Sequence, residues 1–328
     1  MNYDLVGIGN AVVDVIAQVD HDFLTDYAIK KGIMQLIEKE RATSLYEAME
    51  NRIQSPGGSV ANTIAGANAL GLKTAFIGRV RDDALGHHYA ASMTEQNIDF
   101  VNKPISDNNE VTSRSMIFIT PDGERSMNTY LGISTRLSAD DVPKTVVQRT
   151  KLMFLEGYLF DHDAGKSAFR KAARATQKAG NKAGIAISDP FCVERHRSDF
   201  LSLIQNNLDF VIGNELEFRT LFQKNDLNEA LQSASKICSL VICTKSADGV
   251  TVIANSHRID VPTKKLVPVD VTGAGDQFAA GFLFGVARGY DIKYCAQIGH
   301  VCASEVISHI GARPQTDITT ILYKKELL

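Results

Sequence analysis

The stretch Asp270-Val271-Thr272-Gly273-Ala274-Gly275-Asp276-Gln277-Phe278 carries residue types suited to chemistry at a spacing that could use them. Three small residues, Gly273, Ala274 and Gly275, leave backbone N–H groups uncovered, and an apolar run at helical spacing follows through Phe278, Phe282, Leu283 and Val286. The small residues are therefore expected at a helix N-terminus, where the first N–H groups have no intrahelical partner and the dipole is positive. Such a place can hold a phosphate or a developing oxyanion. Asp276 stands in the same turn, where a carboxylate is stabilised as an anion and could take a proton from a hydroxyl at neutral pH. The plainer alternative is a Gly-rich turn that only caps a helix.

Other polar residues sit where apolar ones would be expected. Asn10 and Asp14 interrupt the apolar run Val6 to Ile16 and read, on their own, as ligands or as a turn cap and a strand-edge charge. Gly57 and Gly58 let the backbone approach a ligand, and Asn62 offers a donor and an acceptor together; a tightly packed helix start would look the same. Asn214 and Glu217 follow the apolar run Leu208 to Ile212, at the strand end where active sites of open α/β sheets gather, although a solvated acidic helix start has the same composition. Tyr158 lies just past another expected strand, as packing or as a stacking surface. Two nucleotide motifs are excluded. Gly7 and Gly9 lack the third glycine of a dinucleotide fingerprint because position 12 is Val, and Lys73 is one residue late for a phosphate loop whose glycines would have to precede a helix. His87 and His88 are adjacent, cannot face one ligand from a helix, and are read as surface residues.

Asp270, Thr272, Gly273, Ala274, Gly275, Asp276 and Phe278 match the DTxGAGDxF signature of the ribokinase family, the PfkB-type carbohydrate and nucleoside kinases, which this chain resembles from Gly9 to about Ala312; Val271 stands where many members have Thr. Asn10 and Asp14 resemble the family's GNxxxD-like first strand end, Gly57, Gly58 and Asn62 its GGxxxN segment, and Asn214 and Glu217 its NxxE motif. Gly78, Val80, Asp83 and Gly86 match its N-terminal signature in part, Arg81 replacing the usual second Gly. The resemblance implies a γ-phosphate transfer from ATP with Asp276 as base and Gly273 to Gly275 as the anion hole. It implies acceptor contacts from Asn10, Asp14, Gly57, Gly58 and Asn62, with Asp14 holding a pair of hydroxyls, which suits a carboxylate because it can accept from both. ATP contacts fall on Asn214, Thr244, Lys245, Gly249, Thr272 and Gly275, magnesium on Glu217 through water, and a monovalent cation such as K+ on Asp270. The runs from Val6 to Leu24 and from Glu156 to Phe160 resemble adenosine kinases, whose aromatic at the Tyr158 position stacks on the purine, so the 5′-hydroxyl of adenosine is the expected acceptor. A sugar kinase acting on ribose, fructose or a keto-deoxy sugar is the alternative, and a non-catalytic ligand-binding member is the alternative from another class.

These residues need a scaffold. From Val142 onward, expected strands at 151–155, 184–188, 208–212 and 239–243 alternate with helices, the pattern of a parallel sheet with helices on both faces. Met116–Ile119 and Ser126–Tyr130 flank the turn Pro121-Asp122-Gly123-Glu124 and read as a hairpin, whereas His21–Lys31 reads as turn-like. The expected fold is thus one ribokinase-like α/β domain over 1–328, with strand-and-turn inserts at about 11–50 and 103–135 that in the family form a small β lid over the substrate and exclude water. Gly311-Ala312 is expected to end the second helix after the anion hole.

At 44% hydrophobic and 22% charged, 328 residues suit a globular chain, and a net charge of −3 argues against nucleic acid as a partner. No apolar run approaches a membrane span, no signal peptide is expected, and five scattered cysteines without a CxxC pair fit reduced thiols, so a cytoplasmic enzyme, monomer or homodimer, is expected.

Overall fold

The computed structural model describes residues 2–106 and 109–328, so positions 107 and 108 of the expected insert 103–135 lie outside the described residues. Among the described residues, fourteen strands form two sheets: β1 (Tyr3–Ile8), β2 (Val12–Gln18), β3 (Met34–Leu36), β4 (Ile53–Gly57), β5 (Thr74–Ile77), β6 (Asp99–Phe100), β7 (Ser113–Ile119), β8 (Arg125–Tyr130), β9 (Thr150–Glu156), β10 (Lys182–Ala186), β11 (Phe210–Asn214), β12 (Leu240–Thr244), β13 (Val250–Ala254) and β14 (His257–Val261). The large sheet has the order β14-β13-β12-β11-β10-β9-β1-β5-β6. It is parallel from β12 to β6, and only the β12–β13 and β13–β14 pairs are antiparallel. The small sheet has the order β3-β8-β7-β2-β4.

The period-two alternation of the central strands decides the layers. Leu5, Leu152, Phe154, Phe210 and Ile212 pack into one core, with helices Ser59–Ala69, Ala274–Arg288 and Ile292–Val306. Their neighbours Val6, Met153, Leu155 and Val211 pack into a second core on the opposite face, where Phe160, Phe169, Phe200 and Phe218 are fully buried. Both faces of the sheet are therefore covered, as a mainly parallel sheet requires. On the first face, helices Ser59–Ala69 and Ala274–Arg288 touch where Gly66 faces Gln277 and Ala280; a Cβ at Gly66 would run into both. That close crossing brings the N-terminal turns of the two helices together over the C-terminal ends of the central strands.

Among the described residues, no helix is long and apolar enough to cross a membrane. Three local expectations change. His21–Asp26 is a helix, capped by Asp20, whose Oδ1 accepts from Phe23 N at 2.8 Å, and anchored by Phe23 stacked on Tyr27. The small sheet includes β4, beyond the expected insert; its Pro56 hid it, and the structure puts β4 on the sheet edge, where a missing N–H is tolerated. The helix expected to end at Gly311-Ala312 stops at Val306, and Gly311, at φ 110, belongs to the loop beyond it.

Candidate active site

A cavity of about 430 Å³ opens at the C-terminal ends of the large-sheet strands and is roofed by the small sheet. Asn10, Glu156, Tyr158, Asp189, Asn214 and Thr244 come from strand ends, Ser59, Asn62, Gly275 and Asp276 from the two crossing helices, and Val12, Asp14, Met34, Leu36, Met127 and Leu131 from the small sheet and the residue after it.

Asp276 sits in the first turn of helix Ala274–Arg288. Its Oδ1 accepts from Ser59 Oγ at 2.7 Å and its Oδ2 from Asn62 Nδ2 at 3.1 Å. Burial pushes its pKa up to about 6, against the two hydrogen bonds and the nearby Arg313, which favour the anion. The three small residues before it differ in role. Gly273, at φ 78, is the left-handed N-cap, and a Cβ there would sit 2.7 Å from the Ala312 backbone. Ala274 starts the helix and does not line the cavity. Gly275 is exposed and lines the cavity, and a Cβ on it would meet nothing within 4 Å. So the helix N-terminus faces open space at Gly275, while the Ala274 N–H is taken by the Val271 carbonyl at 3.2 Å.

Asp14 projects from β2 towards the same space, half-buried. Burial raises its pKa to about 6; Arg313 and Arg125 oppose the rise and Asp276 adds to it. Gly57 lies opposite, off the cavity wall, and a Cβ there would run into the Asp14 carboxylate. Gly58, at φ 99, abuts the Asn10 carbonyl in the same way. Asn10 lines the cavity, but its amide is engaged: Nδ2 donates to Glu156 Oε1 at 2.8 Å and Oδ1 accepts from Ser134 Oγ at 2.8 Å. Tyr158 lies in a 3-10 turn, Gly157–Asp161, half-buried on the cavity wall, with its phenol pKa pushed up by burial.

At the other end, Asn214 caps helix Glu215–Phe222 in a capping box: its Oδ1 accepts from Glu217 N at 2.9 Å, and the Glu217 carboxylate accepts from Asn214 N at 2.9 Å and Nδ2 at 2.7 Å. Glu217 is buried rather than solvated, and burial pushes its pKa up to about 7. Thr244 and Thr272 line the cavity, whereas Lys245 and Gly249 do not: Lys245 Nζ donates to Asp260 Oδ1 at 3.2 Å, and Gly249 packs on the Val261 backbone. Asp270 also lies off the wall. It accepts from Thr272 N and Gly311 N at 3.0 Å each and is ion-paired with Arg125, from the start of β8. Among the described residues, no three His, Cys, Asp or Glu side chains are grouped to hold a metal ion. A lone carboxylate with a free lone pair on each oxygen, as at Glu217, fits a magnesium ion that keeps its own waters.

Sequence reasoning missed four residues. Glu156 is 1% exposed, and its carboxylate accepts from Asn10 N and Nδ2 and from Val60 N, with its pKa pushed up to about 7 by burial. Ser59 hydrogen-bonds Asp276, Arg313 donates to Asn62, and Arg125 holds Asp270. Ser59 and Arg313 each directly follow residues singled out in the sequence, Gly58 and Ala312, so adjacency was the one available signal.

A carboxylate with an elevated pKa, open helix N–H groups beside it and a second carboxylate placed for hydroxyls form a set that can deprotonate an alcohol and hold an anion close to it. Comparison with known proteins agrees with that chemistry. A solved adenosine kinase from Sinorhizobium meliloti shares 40% identity over 99% of this chain and 100% of its own, with a TM-score of 0.90. A probable sugar kinase from Rhizobium etli CFN 42 shares 38% over 100% of both chains, with a TM-score of 0.91. A 5-dehydro-2-deoxygluconokinase from Halalkalibacterium halodurans is 26% identical, covering 93% of this chain and 89% of its own. The pfkB family carbohydrate kinase model matches residues 28–319. A ribokinase-like α/β fold and phosphotransfer to an alcohol of a sugar or nucleoside, with ATP as co-substrate, follow for this chain, which belongs to the pfkB family of carbohydrate kinases.

Proposed function

We propose that the chain transfers the γ-phosphate of ATP to the 5′-hydroxyl of a purine nucleoside, adenosine foremost. The observation that carries this reading is the mixed wall of the cavity. Asp14, Asn62 and Asp276 would serve any polyol, but Val12, Met34, Leu36, Met127, Leu131 and Tyr158 form an apolar surface for which a free sugar has no matching part. A planar base would cover it, while Asp14 accepts from the ribose 2′- and 3′-hydroxyls. The 40% identity to an adenosine kinase supports the same reading.

In the reaction, Asp276 takes the proton of the attacking hydroxyl, and the N–H groups at Gly273 and Gly275, rather than Ala274, whose N–H is bonded to Val271, stabilise the charge on the transferred phosphoryl group. Asn214, Thr244 and Thr272 line the ATP side of the cavity, with Lys245 and Gly249 behind the strand turn. Glu217 would hold magnesium through water; the ion would supply charge neutralisation on the phosphates. The small sheet acts as a lid that keeps water from the phosphoryl group.

Tyr158→Ala tests the reading. Base–aromatic stacking is worth about 1–3 kcal/mol, so the variant should bind adenosine roughly 5- to 150-fold more weakly while any activity on ribose is retained. Equal losses on both acceptors would return Tyr158 to a packing role and favour the sugar.

A further inference from the structure

Arg313 stands in the loop beyond helix Ile292–Val306, one residue past the Ala312 that abuts the anion-hole turn. Its Nε donates to Asn62 Oδ1 at 3.2 Å, its Nη1 to Gln96 Oε1 at 3.2 Å, and its Nη2 faces Met93 Sδ at 3.8 Å. Among the described residues these partners are uncharged, and no carboxylate is in ion-pair contact with the guanidinium. A half-buried cation with no counter-ion in contact is costly to keep, so its place behind the cavity calls for a reason.

The reason lies in what an arginine cannot do. A guanidinium only donates, so the face of the Asn62 amide turned to Arg313 must be the oxygen. The other face, Nδ2, is then fixed on Asp276 Oδ2 at 3.1 Å. The backbone carbonyls of Asn62 and Ala312 both accept from Gln277 Nε2, at 3.1 and 2.9 Å, which ties the helix, the loop and the residue after Asp276 together. An inverted amide would set Oδ1 against the carboxylate, an arrangement that requires a protonated Asp276.

We propose that Arg313 is a positioning residue that fixes the orientation of the Asn62 amide and thereby keeps Asp276 in the acceptor-only form a base needs. The inference rests on the proposed role of Asp276. The groups that face Asp276 are Ser59 and Asn62 from helix Ser59–Ala69, Arg313 from the loop, Asp14 from β2, Glu156 from β9 and Tyr158 from the turn after it, with Arg125 from β8 acting on Asp14. Of these, Arg313 is the cation whose field reaches both Asp14 and Asp276.

The test is the pH profile of kcat/KM for phosphotransfer in Arg313→Gln, Arg313→Lys and Asp276→Asn, with a thermal melt for each. Glutamine can accept as well as donate, so in Arg313→Gln the amide is free to invert. The acid limb should rise by about one pH unit, which is about a fivefold loss at pH 6 and about a tenfold loss well below it. Arg313→Lys keeps a donor-only cation and should hold the limb near its original place. In an Asn62→Ala background, with no amide to orient, Arg313→Gln should add only the smaller shift left by the lost charge, and a shift as large as in the native background overturns the inference. Arg313→Met carries the same expectation if Arg313→Gln does not fold. An unmoved limb in folded Arg313→Gln, or a shift in Arg313→Lys as large as in Arg313→Gln, overturns the inference while leaving the base assignment standing. Full turnover in Asp276→Asn overturns the base assignment and the inference together.

Discussion

Asp276 receives two hydrogen bonds from neutral donors, Ser59 Oγ and Asn62 Nδ2, and among the described residues no cation touches it. That balance leaves it ionised above about pH 6 and basic enough to accept a proton. Asp276→Asn keeps the shape and removes the base, so kcat should fall by about 10²–10⁴ with acceptor binding largely kept; steady-state kinetics with intact KM would show it, and near-normal kcat would remove Asp276 from the chemistry. In the unmodified chain, kcat/KM should drop as pH falls through about 6, since the anion is the active form and protonation removes it. Residues of this kind were legible because Asp270 to Phe278 is one unbroken string. Glu156 and Arg313 were not, because their partners lie 146 and 251 positions away and no local spacing encodes such a contact.

The helix Ala274–Arg288 does at the scale of an element what Asp276 does as a residue. Its cap, Gly273, is fixed by a left-handed backbone and the Ala312 contact, and its second residue, Gly275, faces the cavity with no protein atom in the way. Gly275→Val should therefore fold normally. Its side chain would enter the space of the transferred phosphoryl group, where each preorganised donor is worth about 2.7–4 kcal/mol, so kcat should fall by roughly 10²–10³. A normal thermal melt with lost turnover is the expected pair of results; full turnover would move the anion hole elsewhere. The helical run after Gly275 and the strands β9 to β12 could be read from hydrophobic period alone. β4 could not, because an edge strand can carry a proline, and the helix His21–Asp26 was hidden by its length, too short for a periodic signal.

Across the whole molecule, two sheets meet over one cavity, and that meeting buries carboxylates. Glu156 is the most enclosed of them. Its pKa is raised from an ordinary 4.5 to about 7 in the folded chain, so between those values the native state binds more protons than the unfolded state. Stability should then fall as pH rises through that window, by an amount on the order of 3 kcal/mol if no other group intervenes. Urea titrations at pH 5 and pH 8 measure it, and Glu156→Gln, which has nothing to titrate there, should show a shallower slope whatever its absolute stability; an equal slope would locate the effect in other groups. The parallel order of the large sheet was readable from the β/α alternation, but the way the small sheet lays an apolar wall over Asp14 depends on long-range pairing that no stretch of sequence displays. That wall is the basis for a nucleoside as acceptor, and ADP formation by the unmodified enzyme across a panel of acceptors addresses it most directly. With adenosine, ribose, fructose and 5-dehydro-2-deoxygluconate compared at fixed ATP and magnesium, kcat/KM for adenosine should exceed the others by at least the roughly 5- to 150-fold that stacking supplies; a sugar or sugar acid phosphorylated as efficiently as adenosine would contradict the account.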